Sequence, residues 1–168
     1  MNFLIVVDMQ NDFISGSLGS PHAADIVVSV VDKVKNFNGK VIFTRDTHSA
    51  DYMNTQEGKK LPVTHCIKAT PGWEICNELK PYVETVVGKP TFGCVDLPRL
   101  LSSYGEEVSW IELCGLCTDI CVISNAMIVK AAFPEAQVTV DSSCCAGVTM
   151  ESHQTALDAM KAVQIEIL

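Results

Sequence analysis

A chain of 168 residues with a formal charge of −8 suits one domain, since domains commonly run to roughly 100–200 residues, and it offers no basic face to nucleic acid or to an anionic membrane. Apolar residues make up 48% and charged residues 19%, a balance that fills a core and excludes disorder. Apolar Phe3 to Val7 meets Asp8 at once, so no secretory signal is read, and no apolar run approaches the ~20 residues that span a bilayer. The expectation is a cytoplasmic protein whose eight cysteines stay reduced, with no nucleic-acid or membrane partner.

Residues 3–7, FLIVV, are apolar on both faces, as in a central parallel strand. Asp8 then falls at the carboxyl end, where open α/β sheets gather functional groups. Gly16 and Gly19 mark a loop, and Ser20-Pro21 reads as a helix start. Ile26, Val27, Val30, Val31, Val34 and Phe37 predict an amphipathic helix over 22–37, ended by Asn38-Gly39. KVIFT at 40–44 is a second strand, leading into Arg45-Asp46-Thr47-His48. The irregular stretch after it brings in Glu57 and His65, and a loop this long inside a compact domain is usually functional. Asp46, His48, Glu57 and His65 have the mixed nitrogen and oxygen chemistry of a zinc, iron or manganese site; the plainer reading is solvated side chains.

A short helix is expected from Trp73 to Leu79, and a third strand over Val83–Val87 with Lys89 just beyond its end. Asp96 begins a helix to about Tyr104. Trp110 to Cys114 is a fourth strand, broken by Gly115, and Thr118 and Asp119 are candidate caps for a helix running to about Phe133. That places Cys121 in the helix's first turn, where the dipole would lower a thiol pKa and free N–H groups could hold an oxyanion. The plainer reading of Cys121 is a small buried hydrophobe. Gln137 to Val140 is a fifth strand, Thr149 or Glu151 opens the last helix, and Gln164 to Leu168 is a final strand. Strands alternating with helices predict a three-layer α/β sandwich, a parallel sheet covered on both faces.

Asp8, Lys89 and Cys121 thus collect at one sheet edge, an acid, an amine and a thiol suited to acyl transfer. With VVDMQNDF at 6–13, TRDTH at 44–48, LPVTHC at 61–66, Lys89 before Pro90-Thr91-Phe92, and GLCTDICV at 115–122, the sequence resembles the isochorismatase-like cysteine hydrolases, and among them the nicotinamidases. The resemblance implies a six-stranded, mostly parallel sheet and a catalytic triad of Asp8, Lys89 and Cys121. It implies a cis Leu116–Cys117 peptide and an oxyanion hole from the N–H groups of Cys117 and Cys121. It also implies a divalent metal, zinc first with iron or manganese as alternatives, on Asp46, His48 and His65. Many members use a further histidine where this chain has Tyr52 and Asn54, and Glu57 falls where a subset places a glutamate ligand. The aromatic that commonly precedes the last histidine is replaced by Leu61 to Thr64, which leaves Phe13 and Tyr52 as the candidate substrate wall. A small amide is the expected substrate and a homo-oligomer the expected assembly.

Other classes fit less well. No GxGxxG follows the first strand, against a dinucleotide or flavin module. Cys114-x-x-Cys117 has redox or zinc spacing but no second pair to complete a zinc site. The intact acid, amine and thiol set argues against a non-catalytic binding protein, and His22 and His153 read as capping or surface groups.

Overall fold

The computed structural model describes residues 1–168. Six strands, β1 (Asn2–Val7), β2 (Lys40–Asp46), β3 (Val86–Lys89), β4 (Trp110–Leu116), β5 (Gln137–Ala146) and β6 (Glu166–Ile167), form one sheet in the order β3-β2-β1-β4-β5-β6. Every neighbouring pair is parallel. The chain steps outward from β1 to β3, then returns to lay β4 on the other side of β1. The carboxyl ends of β1 and β4 therefore flank the point where strand order reverses, the place where open α/β sheets bind ligands. Phe3 to Val7 are wholly buried, as a strand covered on both faces requires.

Seven helices accompany the sheet: α1 (Asn11–Ile14), α2 (Pro21–Asp25), α3 (Val27–Asn36), α4 (Gln56–Lys60), α5 (Leu97–Ser102), α6 (Ile123–Ala132) and α7 (Met150–Ala162). The helix expected over 22–37 is two, α2 and α3, divided at Ile26. Ser20 caps the first through Oγ, which accepts from Ala23 N–H at 3.1 Å. Thr149 opens α7 in a reciprocal capping box with Ser152.

Three other expectations are corrected. No helix runs from Trp73 to Leu79: only a 3₁₀ turn, Pro71–Trp73, forms, and the chain then extends. Asn11 N–H donates to the Glu74 carbonyl and Cys76 N–H to that of Met9, so pairing with the end of β1 takes the backbone groups a helix would need. β3 begins at Val86, because Pro81 sits in a 3₁₀ turn, Lys80–Tyr82, that occupies the chain just before it. β5 continues past Val140 through polar Asp141, Ser142 and Ser143 to Ala146.

Those polar residues are tolerated partly because of a cation. Lys33 on α3 reaches Glu112 at 2.5 Å and Asp141 at 2.7 Å, and the Glu112 side chain, in the middle of β4, is 1% exposed. Burial opposes ionisation of Asp141, but Lys33 and Ser143 outweigh it and hold its carboxyl below the usual range. That contribution is present above the ordinary carboxylate pKa and fades as pH falls through the depressed one. Lys33→Met should lower stability by about 2–4 kcal/mol, somewhat under the usual cost of breaking a buried pair because Lys33 is itself 24% exposed. Urea unfolding at neutral pH measures this, and an unchanged midpoint would remove the buried pair from the account.

Candidate active site

Asp8 directly follows β1 with a φ of 48°, in the left-handed region that residues other than glycine seldom adopt. Its Oδ1 accepts from Thr44 Oγ at 2.7 Å, which ties it to the neighbouring strand β2. Lys89, the last residue of β3, is paired in register with Asp46 on β2, and its buried side chain runs toward β1. Its Nζ lies 2.6 Å from Asp8 Oδ2, 3.0 Å from the Thr91 carbonyl, 3.4 Å from Asp46 Oδ1 and 3.5 Å from Cys121 Sγ. Asp8, Lys89 and Cys121, separate in sequence, thus meet around one ammonium.

Gly115 lets β4 approach. It has a φ of 115°, and a Cβ there would stand 2.1 Å from the Val7 carbonyl oxygen. The Leu116–Cys117 peptide is cis. The expected N-terminal turn of an α-helix at Cys121 is instead a π-helical turn, Thr118–Val122, before α6 begins at Ile123. Thr118 and Asp119 do not cap it. Thr118 Oγ shares a 2.8 Å hydrogen bond with His153 Nδ1, and the Asp119 carboxylate accepts from Val148 N–H at 3.1 Å. His153 therefore braces the turn from α7.

The electrostatics also correct an expectation. The Cys121 thiol is pushed well above its ordinary pKa by burial and by Asp8, so it rests protonated. Burial raises the Asp8 carboxyl, with Lys89 pulling the other way. Burial likewise opposes the Lys89 charge, but Asp8, Cys121 and Asp46 together hold it above the ordinary lysine value. At rest the Lys89 ammonium thus sits 2.6 Å from the Asp8 carboxyl, beside a neutral thiol.

Asp46, His48, Glu57 and His65 form a second cluster whose ligand atoms all lie within 4.8 Å of one another. His48 Nε2 is 2.8 Å from Asp46 Oδ2 and 3.6 Å from Glu57 Oε1, and His65 Nε2 is 3.6 Å and 3.7 Å from the same two oxygens. His48 Nε2 is buried and close to a carboxylate, yet not aligned to hydrogen-bond it. Spacings near 3.6 Å suit ligands each about 2.1 Å from a shared ion. His65 Nδ1 bonds the Val63 carbonyl at 2.7 Å, which fixes the ring and leaves Nε2 free to ligate. The four residues fit a divalent metal. His48→Ala should reduce metal content at a fixed free concentration by at least about tenfold, read by elemental analysis; unchanged content would exclude it as a ligand.

Gln10, absent from the sequence reading, positions this cluster. Its amide clamps the Asp46 backbone, accepting from N–H at 2.7 Å and donating to C=O at 2.9 Å. Asp12 holds Cys66, at a φ of 48° just after His65, through a 2.8 Å bond to its N–H. Neither role has a sequence signal beyond proximity to Asp8.

A cavity of about 450 Å³ opens over both clusters. Phe13 lines it; Tyr52 does not. Tyr52 is wholly buried, its ring 4.7 Å and 4.9 Å from those of His48 and His65 and its hydroxyl on the Leu61 carbonyl, so it backs the two histidines. The second aromatic of the wall is Phe92, with Leu61, Ile120 and Val148. All eight cysteines are free, and Cys114 is buried within β4, while burial and Asp119 push Cys117 up to about 12.

Known proteins resemble this chain over nearly its whole length. A nicotinamidase from Schizosaccharomyces pombe is 25% identical over 98% of this chain and 91% of its own length. The pyrazinamidase of Pyrococcus horikoshii, solved in complex with zinc, superposes with a TM-score of 0.87 at 27% identity over 99% of this chain and 98% of that one. A nicotinamidase/pyrazinamidase from Bacillus subtilis superposes with a TM-score of 0.81 at 27% identity, with the same coverage of both chains. The model of the isochorismatase domain matches residues 2–168, and the chain belongs to the isochorismatase family.

Proposed function

We propose that this protein is a cysteine-dependent nicotinamidase, converting nicotinamide and water to nicotinate and ammonia. The observation that carries the reading is the meeting of Asp8, Lys89 and Cys121 next to a four-residue donor set, with Cys121, Asp46, Glu57 and His65 opening onto one apolar cavity. An acid, an amine and a thiol serve acyl transfer from an amide, and relatives named for amide hydrolysis support it.

In the first step the neutral thiol needs a base, and Asp8 is the carboxylate in contact with it. Asp8 takes the proton as sulfur attacks the carboxamide carbon, and the Lys89 ammonium, 3.5 Å from the sulfur, stabilises the developing thiolate. The tetrahedral oxyanion rests on the N–H groups of Cys117 and Cys121. Asp8 returns the proton to the amide nitrogen, the C–N bond breaks, and ammonia leaves a thioester on Cys121. Water, giving a proton to Asp8, attacks the thioester; the C–S bond breaks and the thiol recovers its proton from Asp8. Lys89 stays protonated throughout, since Asp8 and Asp46 hold its charge.

Asp46, His48, Glu57 and His65 would hold zinc, a choice supported by the imidazole and carboxylate donors and by the zinc-bound relative. When bound, the metal supplies a Lewis-acidic site for the pyridine nitrogen and so orients the ring. Phe13 and Phe92 form the aromatic part of the wall around it.

A second reading, hydrolysis of another small amide or carbamoyl compound, is favoured by aliphatic Leu61 in the wall before His65. Ammonia release by zinc-loaded protein from nicotinamide, against a panel of aliphatic amides and carbamoyl compounds, decides between them. Preference for nicotinamide supports the proposal; turnover confined to the panel overturns it. Eight unpaired thiols support a cytoplasmic setting, and no helix is long and apolar enough to cross a membrane. Exposed Val95, Val148 and Met150 support self-association.

A further inference from the structure

Asn125 is wholly buried near the start of α6 and takes no part in the chemistry above. Its three hydrogen bonds all go to main-chain groups. Nδ2 donates to the Cys121 carbonyl at 2.8 Å and to the Phe92 carbonyl at 3.2 Å, while Oδ1 accepts from Cys94 N–H at 2.8 Å. A primary amide is the neutral side chain that can accept once and donate twice from one plane. The stretch Pro90–Cys94 lies in neither strand nor helix, so side-chain ties set its place. It matters to the site at two points: the Thr91 carbonyl holds the Lys89 ammonium at 3.0 Å, and Phe92 forms cavity wall. Gly93 shows how close the stretch comes to α6, since a Cβ there would stand 2.6 Å from Ile128 Cδ1.

We propose that Asn125 is a positioning residue for this site: it locks the Phe92–Cys94 segment to the backbone of Cys121 and so fixes the Phe92 wall relative to the thiol. The inference rests on the amidase reading for its substrate but not for its geometry. Asn125→Thr separates the two ties. A threonine hydroxyl on a helix can donate to the carbonyl four residues back, here Cys121, but it is too short to serve Phe92 and Cys94 as well. The wall is released while the nucleophile's own tie is kept.

The test compares wild type, Asn125→Thr, Phe92→Ala and the double variant. Melting curves establish that each is folded, and peptide mass spectrometry assigns labelling to Cys121. In Asn125→Thr, KM for nicotinamide should rise about fivefold with kcat within about threefold, the sign of lost binding rather than lost chemistry. In the Phe92→Ala background the same change should add nothing to KM, because the two substitutions remove one interaction. The ratio of Cys121 labelling by N-phenylmaleimide to that by iodoacetamide should also change at least about threefold in Asn125→Thr, and not further in the double variant. That ratio needs no turnover, so a wild type that leaves nicotinamide intact would sink the substrate reading and still test Asn125. An unchanged ratio in folded Asn125→Thr, or effects that add fully to those of Phe92→Ala, would overturn the proposal.

Discussion

Cys121→Ala is expected to lower ammonia release by at least about a thousandfold and to change stability by no more than about 1 kcal/mol. The two halves have separate causes. No other thiol is held by both Asp8 and Lys89, so covalent attack has no substitute. Cys117 faces the same cavity, but burial and Asp119 hold its proton firmly, and the Lys89 ammonium hydrogen-bonds the sulfur of Cys121 instead. Stability changes little because the alanine methyl keeps most of the contact with the core, and a buried polar group beside a carboxylate is removed. Ammonia release and a melting curve on the same sample measure both. If the variant retained most of the activity, the nucleophile would be another group.

Lys89→Met should act on stability and activity together. The ammonium is the cation shared by Asp8 and Asp46, and both carboxylates are buried. Taking it away leaves a buried charge without a partner, which costs about 3–5 kcal/mol even when side-chain volume is kept. Asp8, already raised by burial, loses the group that pulls its pKa down. A group whose folded pKa lies above its unfolded value contributes stability that is lost as pH rises through the folded pKa. The deficit of the variant should therefore be largest at neutral pH and shrink as pH falls toward the ordinary carboxylate range. Hydrolysis should fall by about a hundredfold or more, with the residual activity displaced to higher pH, where Asp8 again becomes a base. Urea unfolding at several pH values and a pH–rate profile test this; a pH dependence identical to wild type would show that Lys89 does not set the Asp8 pKa.

The strand pattern of this fold was legible because buried parallel strands are runs of apolar residues. FLIVV, KVIFT and the start of WIELC each became a strand, and the residues just beyond Val7 became the site. Glu112 broke that pattern without breaking the strand, since its partner Lys33 comes from α3, over seventy positions earlier, and no local signal reports such a pair. The stretch from Trp73 to Leu79 misled for a similar reason. Its backbone is claimed by residues 9–11 across the chain, which local propensity does not register.

At the site, residue types with few ordinary uses stood out. Asp46, His48, Glu57 and His65 were readable as donors, and the structure brings all four together. Tyr52 and Phe92 were not separable by sequence. Both are aromatics in irregular segments, and only packing sends one behind the histidines and the other into the cavity. The thiol's resting state was also hidden. A helix start argued for a thiolate, whereas full burial beside Asp8 outweighs any dipole.

In the proposed reaction, hydrolysis passes through an acyl group on Cys121. It is tested most directly by running zinc-loaded protein on nicotinamide in rising concentrations of hydroxylamine and measuring both products. A Cys121 thioester should give nicotinohydroxamate growing at the expense of nicotinate, with neither formed by Cys121→Ala. Nicotinate alone at every hydroxylamine concentration, released equally well by the alanine variant, would contradict it.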